Sequence, residues 1–360
     1  MGLHELELRD FRLFQEFHFA PDREAITVLL SPNGTGKTSV LEAVYALATA
    51  SSFRTTTASD MIRSTATIAE IHGVLFQRER RVQVDLTLTR NVRNTTKKML
   101  VNGQRPSSRA DLGNVLPLTI FTPEGVDVVR QGPENRRAFL THLMTDVDLT
   151  TGDIIERFTR ILSQRNALLR ALHGDHPNPI QRDELDIWSN DFSLVSEELV
   201  RVRRKVLDDL APLVARFYQE LAHDDLRVGI SYEQSWQGDL FKALRDSLDD
   251  DRFRGHTTIG PQRDDIALTL DDRDARRQAS QGEQRSLALA LRLAGHSLVQ
   301  QRRGIDPLLL LDDVFSELDP SRSDRLLKLL PVGQTLVTTA SPLPSGMSPA
   351  AVIDLSKGRP

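Results

Sequence analysis

Ser31-Pro32-Asn33-Gly34-Thr35-Gly36-Lys37-Thr38-Ser39 lies between an apolar run, Ile26–Leu30, and a helical pattern that puts Val40, Leu41, Val44, Leu47 and Ala48 on one face. A glycine-rich turn ending in Lys-Thr between a strand and a helix is phosphate-binding chemistry, because its backbone N–H groups converge on an anion at a helix N-terminus. Lys37 would bring a positive charge to the β- and γ-phosphate oxygens, and the Thr38 hydroxyl would ligate Mg²⁺. The first glycine of the pattern is replaced by Ser31. Far downstream, Pro307-Leu308-Leu309-Leu310-Leu311-Asp312-Asp313 reads as a buried strand ending in two acids. Asp312 would hold Mg²⁺, directly or through water, and Asp313 would orient or deprotonate an attacking water. Together the two segments predict a nucleoside triphosphate site with Lys37, Asp312 and Asp313 as its catalytic groups.

A second anion site is expected at Ser280-Gln281-Gly282-Glu283-Gln284, which opens a helix carrying Leu287, Leu289, Leu291 and Leu293. Ser280 would be the N-cap with free N–H groups behind it; taken alone, Ser280 and Glu283 also read as a plain capping box. Asp319, seven residues after Asp312, closes the segment Ser-Glu-Leu-Asp.

The elements that must position these groups are legible in outline. Residues 1–30 read as strands, and residues 70–122 add strands of period-two alternation, as in a half-buried antiparallel sheet. Between about 124 and 224 two long apolar stripes, one through Phe158 and Leu169 and one from Trp188 to Phe217, flank a Pro/Gly break at 174–179. They predict an antiparallel helical arm. Strand character returns at Leu226, and the last dozen residues are expected to fray. The chain of 360 residues has no cysteine, which excludes disulfides and thiolate chemistry and fits a reducing compartment. No apolar run is long enough to cross a membrane, the N-terminus does not read as a secretory signal, and a net charge of −4 excludes a small basic DNA-coating protein.

In this order the phosphate loop, Ser-Gln-Gly-Glu-Gln, Leu-Leu-Leu-Leu-Asp-Asp and Ser-Glu-Leu-Asp resemble the ATP-binding-cassette ATPases. The loop Asn-Gly-x-Gly-Lys-Thr is similar to their SMC-like branch, and the match to the RecF family covers essentially the whole chain. Phe11-Arg12, Leu41-Glu42-Ala43, Ser52-Phe53-Arg54-Thr55, Phe121-Thr122-Pro123-Glu124, Arg136-Arg137-Ala138-Phe139-Leu140 and Gly260-Pro261-Gln262-Arg263-Asp264-Asp265 carry it. The chain departs from that family's pattern at Ser31, Gly125 and Gln262, where Gly, Asp and His are usual; Glu124 is then the candidate for the segment that senses γ-phosphate. No histidine stands at the usual switch position, where Thr338 and Thr339 end a strand.

The resemblance implies an α/β fold: an ABC-type ATPase head, with a phosphate-loop sheet, helices and an antiparallel β subdomain, at 1–123 plus 225–360. A short inserted helical arm would occupy 124–224. It implies a weak, DNA-stimulated ATPase that binds double-stranded DNA near single-strand gaps as an ATP-closed homodimer. Such a protein would act in the cytoplasm, in recombinational repair, replication restart and the SOS response, helping RecR and RecO to load RecA. Ser280, Gly282 and Gln284 of one subunit would face the nucleotide on Lys37 of the other, with Asp319 at the same seam. Arg54 falls where related heads carry an arginine that senses DNA or nucleotide, and Arg90, Arg93, Lys97 and Lys98 form a basic hairpin suited to sequence-independent phosphate contacts. Arg201, Arg203, Arg204 and Lys205 read as a solvated face of the arm. The rival classes are an ABC transporter ATPase subunit, whose motifs lie closer together than the roughly 240 residues seen here, and a non-catalytic DNA-binding scaffold with a relic ATP site.

Overall fold

Three strands are enclosed on both faces, β3 (Ile26–Leu30) and β11 (Leu308–Asp312) as mainly apolar runs and β12 (Thr335–Thr339) with Leu336 and Val337 between buried threonines. They form the centre of an all-parallel five-stranded sheet, order β13-β3-β12-β11-β7, with β7 (Leu118–Phe121) and β13 (Ala351–Asp354) at its edges. The computed structural model from which this is read describes residues 2–77, 80–106, 115–172 and 178–355. Two compact units emerge, one of residues 1–126, 217–223 and 289–360, the other of 127–216 and 224–288.

The first unit adds a five-stranded antiparallel sheet, β2-β1-β4-β5-β6, made of β1 (Gly2–Phe11), β2 (Phe14–Phe19), β4 (Ile68–Gln77), β5 (Arg80–Arg90) and β6 (Thr95–Val101). Its period-two pattern turns Leu6, Leu8, Ile71, Val84, Leu86 and Leu88 to the core. Helix α1 (Lys37–Thr49) is buried along almost its whole length, with Val40, Leu41, Val44 and Leu47 fully enclosed and joined to one core with both sheets. That depth needs Gly73: a Cβ there would lie 2.5 Å from Leu47 Cδ1. Part of the stretch expected to fray is paired instead, while residues 356–360 lie outside the described residues. Ala351–Asp354 pairs in parallel with β3, which is otherwise an edge left open to other chains.

The second unit holds helices α2 (Pro133–Val147), α3 (Thr151–Ala171) and most of α4 (Pro179–Ala222), together with a small antiparallel sheet, β8 (Val228–Glu233), β9 (Asp265–Leu270) and β10 (Arg273–Asp274). The pairs Arg157–Glu198, Phe158–Phe192 and Arg165–Ser189 run in opposite directions along α3 and α4, so the two helices are antiparallel. Residues 174–177 of the expected Pro/Gly break lie outside the described residues. The arm predicted at 124–224 is therefore one part of a larger unit. Side chains explain why 224–288 joins it: Arg136 grips Asp265 through two 2.8 Å bonds, and Arg203 donates to Tyr232 Oη at 3.0 Å and to the Pro261 carbonyl at 2.7 Å. Arg203 is thus buried rather than solvated, whereas Arg201, Arg204 and Lys205 are exposed as expected.

Candidate active site

β3 stops at Leu30 and α1 starts at Lys37, and the backbone between them curls over the helix N-terminus. Gly36 has φ +105, a region that L side chains rarely adopt, and a Cβ there would meet Phe14 Cζ at 2.6 Å. Lys37 is buried at 6% exposure, and its ammonium folds back to donate to the carbonyls of Ser31 (2.5 Å) and Pro32 (2.9 Å) and to Asn33 Oδ1 (3.4 Å). Burial pulls its pKa below the ordinary lysine value, against the opposing pull of Asp313 and Asp312. The loop thus holds a desolvated cation whose hydrogen-bond partners among the described residues are carbonyl oxygens, which phosphate oxygens would outbid.

Strand register delivers the acids. Asp312 on β11 stands beside Thr338 on β12, which stands beside Leu29 on β3. Asp312 Oδ1 accepts from Thr38 Oγ1 at 2.9 Å and from Thr338 Oγ1 at 2.6 Å. Burial raises the Asp312 pKa, the two threonine hydroxyls oppose that, and the charge of nearby Glu124 adds to it. Asp313 turns away into a left-handed backbone, φ +49, pinned by its N–H to the Thr338 carbonyl and hydroxyl, both at 3.1 Å. Its Oδ1 is buried without a hydrogen-bond partner among the described residues, as is Ser31 Oγ. Buried acceptors are ordinarily satisfied, so these two point to a group that the folded chain does not itself supply. Thr38 and Asp312 are an oxygen pair suited to Mg²⁺, which would supply Lewis-acid charge to phosphate oxygens. Thr338 was visible in sequence only as the occupant of a strand end. Its bridging of Asp312 and Asp313 depends on strand order, which no spacing encodes.

A cavity of about 1210 Å³ opens in front of this group, lined by the phosphate loop, Arg12, Arg54, residues 56–60, the tip of the β5–β6 hairpin, Asp312 and Asp313. Arg12, not singled out from sequence as a site residue, donates through Nε (2.8 Å) and Nη2 (2.5 Å) to Glu42, a carboxylate of α1 with no exposed surface. Ser52 (2.5 Å) and Arg54 (3.3 Å) complete that cluster. Among the cations expected at DNA, Arg90 donates to the carbonyls of Ala66, Ser59 and Ile62 and Lys97 to that of Ala50, so both also hold the hairpin in place. Arg93 and Lys98 are exposed, and Arg93 lines the cavity.

The Ser280 segment belongs to the second unit. Ser280 and Glu283 form the reciprocal capping box, with Ser280 N–H on Glu283 Oε2 at 2.5 Å and Glu283 N–H on Ser280 Oγ at 3.3 Å, at the start of α5 (Gln281–Arg303). Ser280 and Gln281 are exposed and Gly282 half-buried. Gln284 differs from the expectation that it faces a nucleotide: it is buried, accepts from Arg130 Nε (2.8 Å) and donates to the Ala275 and Arg276 carbonyls (both 3.0 Å). Its amide shapes the segment from behind. Asp319, in the first unit, caps α6 (Pro320–Leu329), accepting from the Arg322 backbone at 2.9 Å and its guanidinium at 3.0 Å. The first of these bonds is the main cause of its lowered pKa.

The sequence profile of the RecF/RecN/SMC N terminal domain matches residues 2–342. The DNA replication and repair protein RecF of Acidothermus cellulolyticus is 33% identical over 354 residues, 95% of this chain and 94% of that protein. RecF of Geobacter sulfurreducens is 35% identical over 340 residues, covering 92% and 90%. A solved structure of the recombination mediator protein RecF with ATP, of the RecFOR pathway, superposes with a TM-score of 0.88 at 25% identity over 98% of this chain and 94% of that one. An Smc head domain from Pyrococcus furiosus shares the fold at a TM-score of 0.53 and 14% identity.

Proposed function

The chain belongs to the RecF family, within the RecF/RecN/SMC N-terminal domain group of ABC-type ATPases, and from that premise we propose that it binds and slowly hydrolyses MgATP as the timing step of DNA repair. One observation carries the reading. Lys37, Thr38, Asp312 and the unpartnered Asp313 Oδ1 come together on one cavity from segments more than 270 residues apart. Lys37 and the loop N–H groups would bind the phosphates, and Thr38 and Asp312 would hold Mg²⁺. Asp313 would take the proton of the attacking water, with Thr338 fixing both acids. A non-catalytic scaffold has no need of Asp313 in a left-handed backbone with a free buried oxygen, because that arrangement costs stability.

ATP would then close two copies of the chain on double-stranded DNA near single-strand gaps, each copy presenting Ser280 and Gly282 to the other's γ-phosphate, with Asp319 at the seam. Arg54, Arg93 and Lys98 are the cations for phosphate contact, and Glu124 is the candidate γ-phosphate sensor. With RecR and RecO the closed form would help load RecA in the cytoplasm. The test pairs two variants in nucleotide titrations and phosphate-release assays. Lys37→Ala is expected to abolish ATP binding. Asp313→Asn should keep it and lose turnover by about 10²-fold or more. Loss of ATP binding in Asp313→Asn, or full turnover, overturns the role given to that residue.

A further inference from the structure

The carboxylate of Glu42 on α1 has no exposed surface, and the hydrogen bonds it accepts fill its lone-pair sites. Arg12 takes both oxygens, Nη2 on Oε1 at 2.5 Å and Nε on Oε2 at 2.8 Å, and Ser52 Oγ shares Oε1 at 2.5 Å. The remaining bond is the outlier. Arg54 Nη1 reaches Oε2 at 3.3 Å, from a side chain that is 42% exposed where that of Arg12 is 17% exposed. Two guanidinium groups on one carboxylate leave a positive charge in excess, and both arginines line the cavity in front of the phosphate loop.

The loop that carries Arg54 is fastened everywhere else. Phe53 meets Tyr45 of α1 edge-on, with 5.5 Å between ring centroids. Ser52 Oγ accepts from the N–H groups of Arg54 at 2.9 Å and Thr55 at 3.2 Å, and Thr55 Oγ1 donates to Asp60 at 2.7 Å. The backbone of Arg54 is thus held while its guanidinium keeps one long bond. Its charge is also felt by Asp312, whose pKa it pulls down against burial, so the guanidinium lies within electrostatic reach of both carboxylates. Glu42 depends on Arg54 least among its partners: without it, the buried carboxylate still faces Arg12 through two bonds, and no buried charge is stranded.

We propose that Glu42 is a positioning residue for Arg54, holding the guanidinium at the cavity wall and releasing it to a phosphate oxygen of the incoming ligand while Arg12 stays on Glu42. The phosphate belongs either to the nucleotide or to a DNA backbone. The proposal rests on reading the cavity as a site for phosphate ligands. One charge-assisted bond is exchanged for another, so Glu42 opposes the ligand that Arg54 attracts.

The test is a double-mutant cycle on Glu42→Gln and Arg54→Gln in the full chain, with Kd measured separately for MgATP and for a short blunt DNA duplex without nucleotide. Glu42→Gln keeps the shape of the side chain and an acceptor for Arg12, and removes the charge that competes for Arg54. Arg54→Gln should weaken one of the ligands about tenfold. Glu42→Gln should tighten the same ligand about threefold or more, and this gain should vanish when Arg54 is also replaced. The ligand that responds identifies the source of the phosphate. A gain that survives without Arg54 is the general effect of deleting a negative charge and overturns the proposal. So does a folded Glu42→Gln that tightens neither ligand, or an Arg54→Gln that weakens neither. If Glu42→Gln does not fold, crystals of wild type grown with and without ligand replace it: Arg54 moved from Glu42 onto phosphate supports the exchange, and an unmoved Arg54 overturns it. Wild type that binds DNA but not MgATP removes the ATPase reading and leaves the cycle to be read on DNA; binding of neither removes both.

Discussion

Three buried side chains in the first unit have pKa values displaced by burial, with different consequences. The Lys37 ammonium and the Asp312 carboxyl are displaced by burial in the direction of their neutral states, which is what desolvation does to a cation and to an anion respectively. Both sit where phosphate oxygens and Mg²⁺ would favour the charged forms, against burial. His296 has no such role. It is 3% exposed, touches Thr119 Oγ1 at 3.1 Å through Nδ1, and its Nε2 is buried without a partner. Burial lowers its pKa to about 4 from 6.5, against a weaker opposite effect of Asp306. A histidine depressed in this way adds stability that is complete above about pH 6.5. It is lost as pH falls toward 4, because the unfolded chain takes up the proton first. The full swing is of order 3 kcal/mol. Urea midpoints between pH 7.5 and 5 should therefore fall more steeply for wild type than for His296→Gln. Parallel slopes would show that the acid sensitivity lies elsewhere.

At the scale of elements, what joins the arm helices to one another is polar as well as apolar. Arg165 of α3 has no exposed surface; it donates to Ser189 on α4 (3.0 Å), to Asp251 Oδ2 (2.8 Å) and to Thr257 Oγ1 (2.7 Å). Asp251 is equally enclosed and also accepts from the Thr258 N–H and hydroxyl. Removing one member of such a pair strands the other's charge, at a cost of about 3–5 kcal/mol, whereas removing both leaves an apolar gap of much smaller consequence. Arg165→Leu should thus unfold at markedly lower urea than wild type, and Arg165→Leu/Asp251→Leu should recover a large part of the loss. No recovery in the double variant would mean that shape, not charge, is what Arg165 contributes. These ties also mark the limit of sequence reading. Apolar periodicity exposed β3, α1, β11 and both arm helices, since each element's pattern is local. The assignment of 224–288 to the arm's unit rests on Arg136–Asp265, Arg165–Asp251 and Arg203–Pro261, pairs separated by 58 to 129 residues. β13 was missed because four residues, two of them half-buried polar or small, carry too short an alternation to stand out.

At the scale of the molecule, a chain of net charge −4 has no overall attraction to DNA, so retention on a duplex needs either local cations or topology. ATP-driven pairing supplies topology if the nucleotide binds the paired form better than the single one; shifting a population from 1:99 to 99:1 takes about 10⁴-fold in differential affinity. The exposed Ser280 capping box is the group to test, because the proposed closure presents it to the γ-phosphate bound by another copy, while buried Gln284 keeps the segment in shape. Light scattering should show the mass double when MgATP is added to wild type and stay single for Ser280→Arg, which places a bulky side chain where the partner's nucleotide would sit. Binding of a fluorescent ATP analogue to Ser280→Arg should match that of wild type at protein concentrations too low for pairing, since Lys37 and Asp312 lie in the other unit. If wild type stays single with MgATP, closure must come from DNA or a partner protein. If Ser280→Arg doubles like wild type, the seam does not pass through Ser280, whatever the fate of ATP at Lys37.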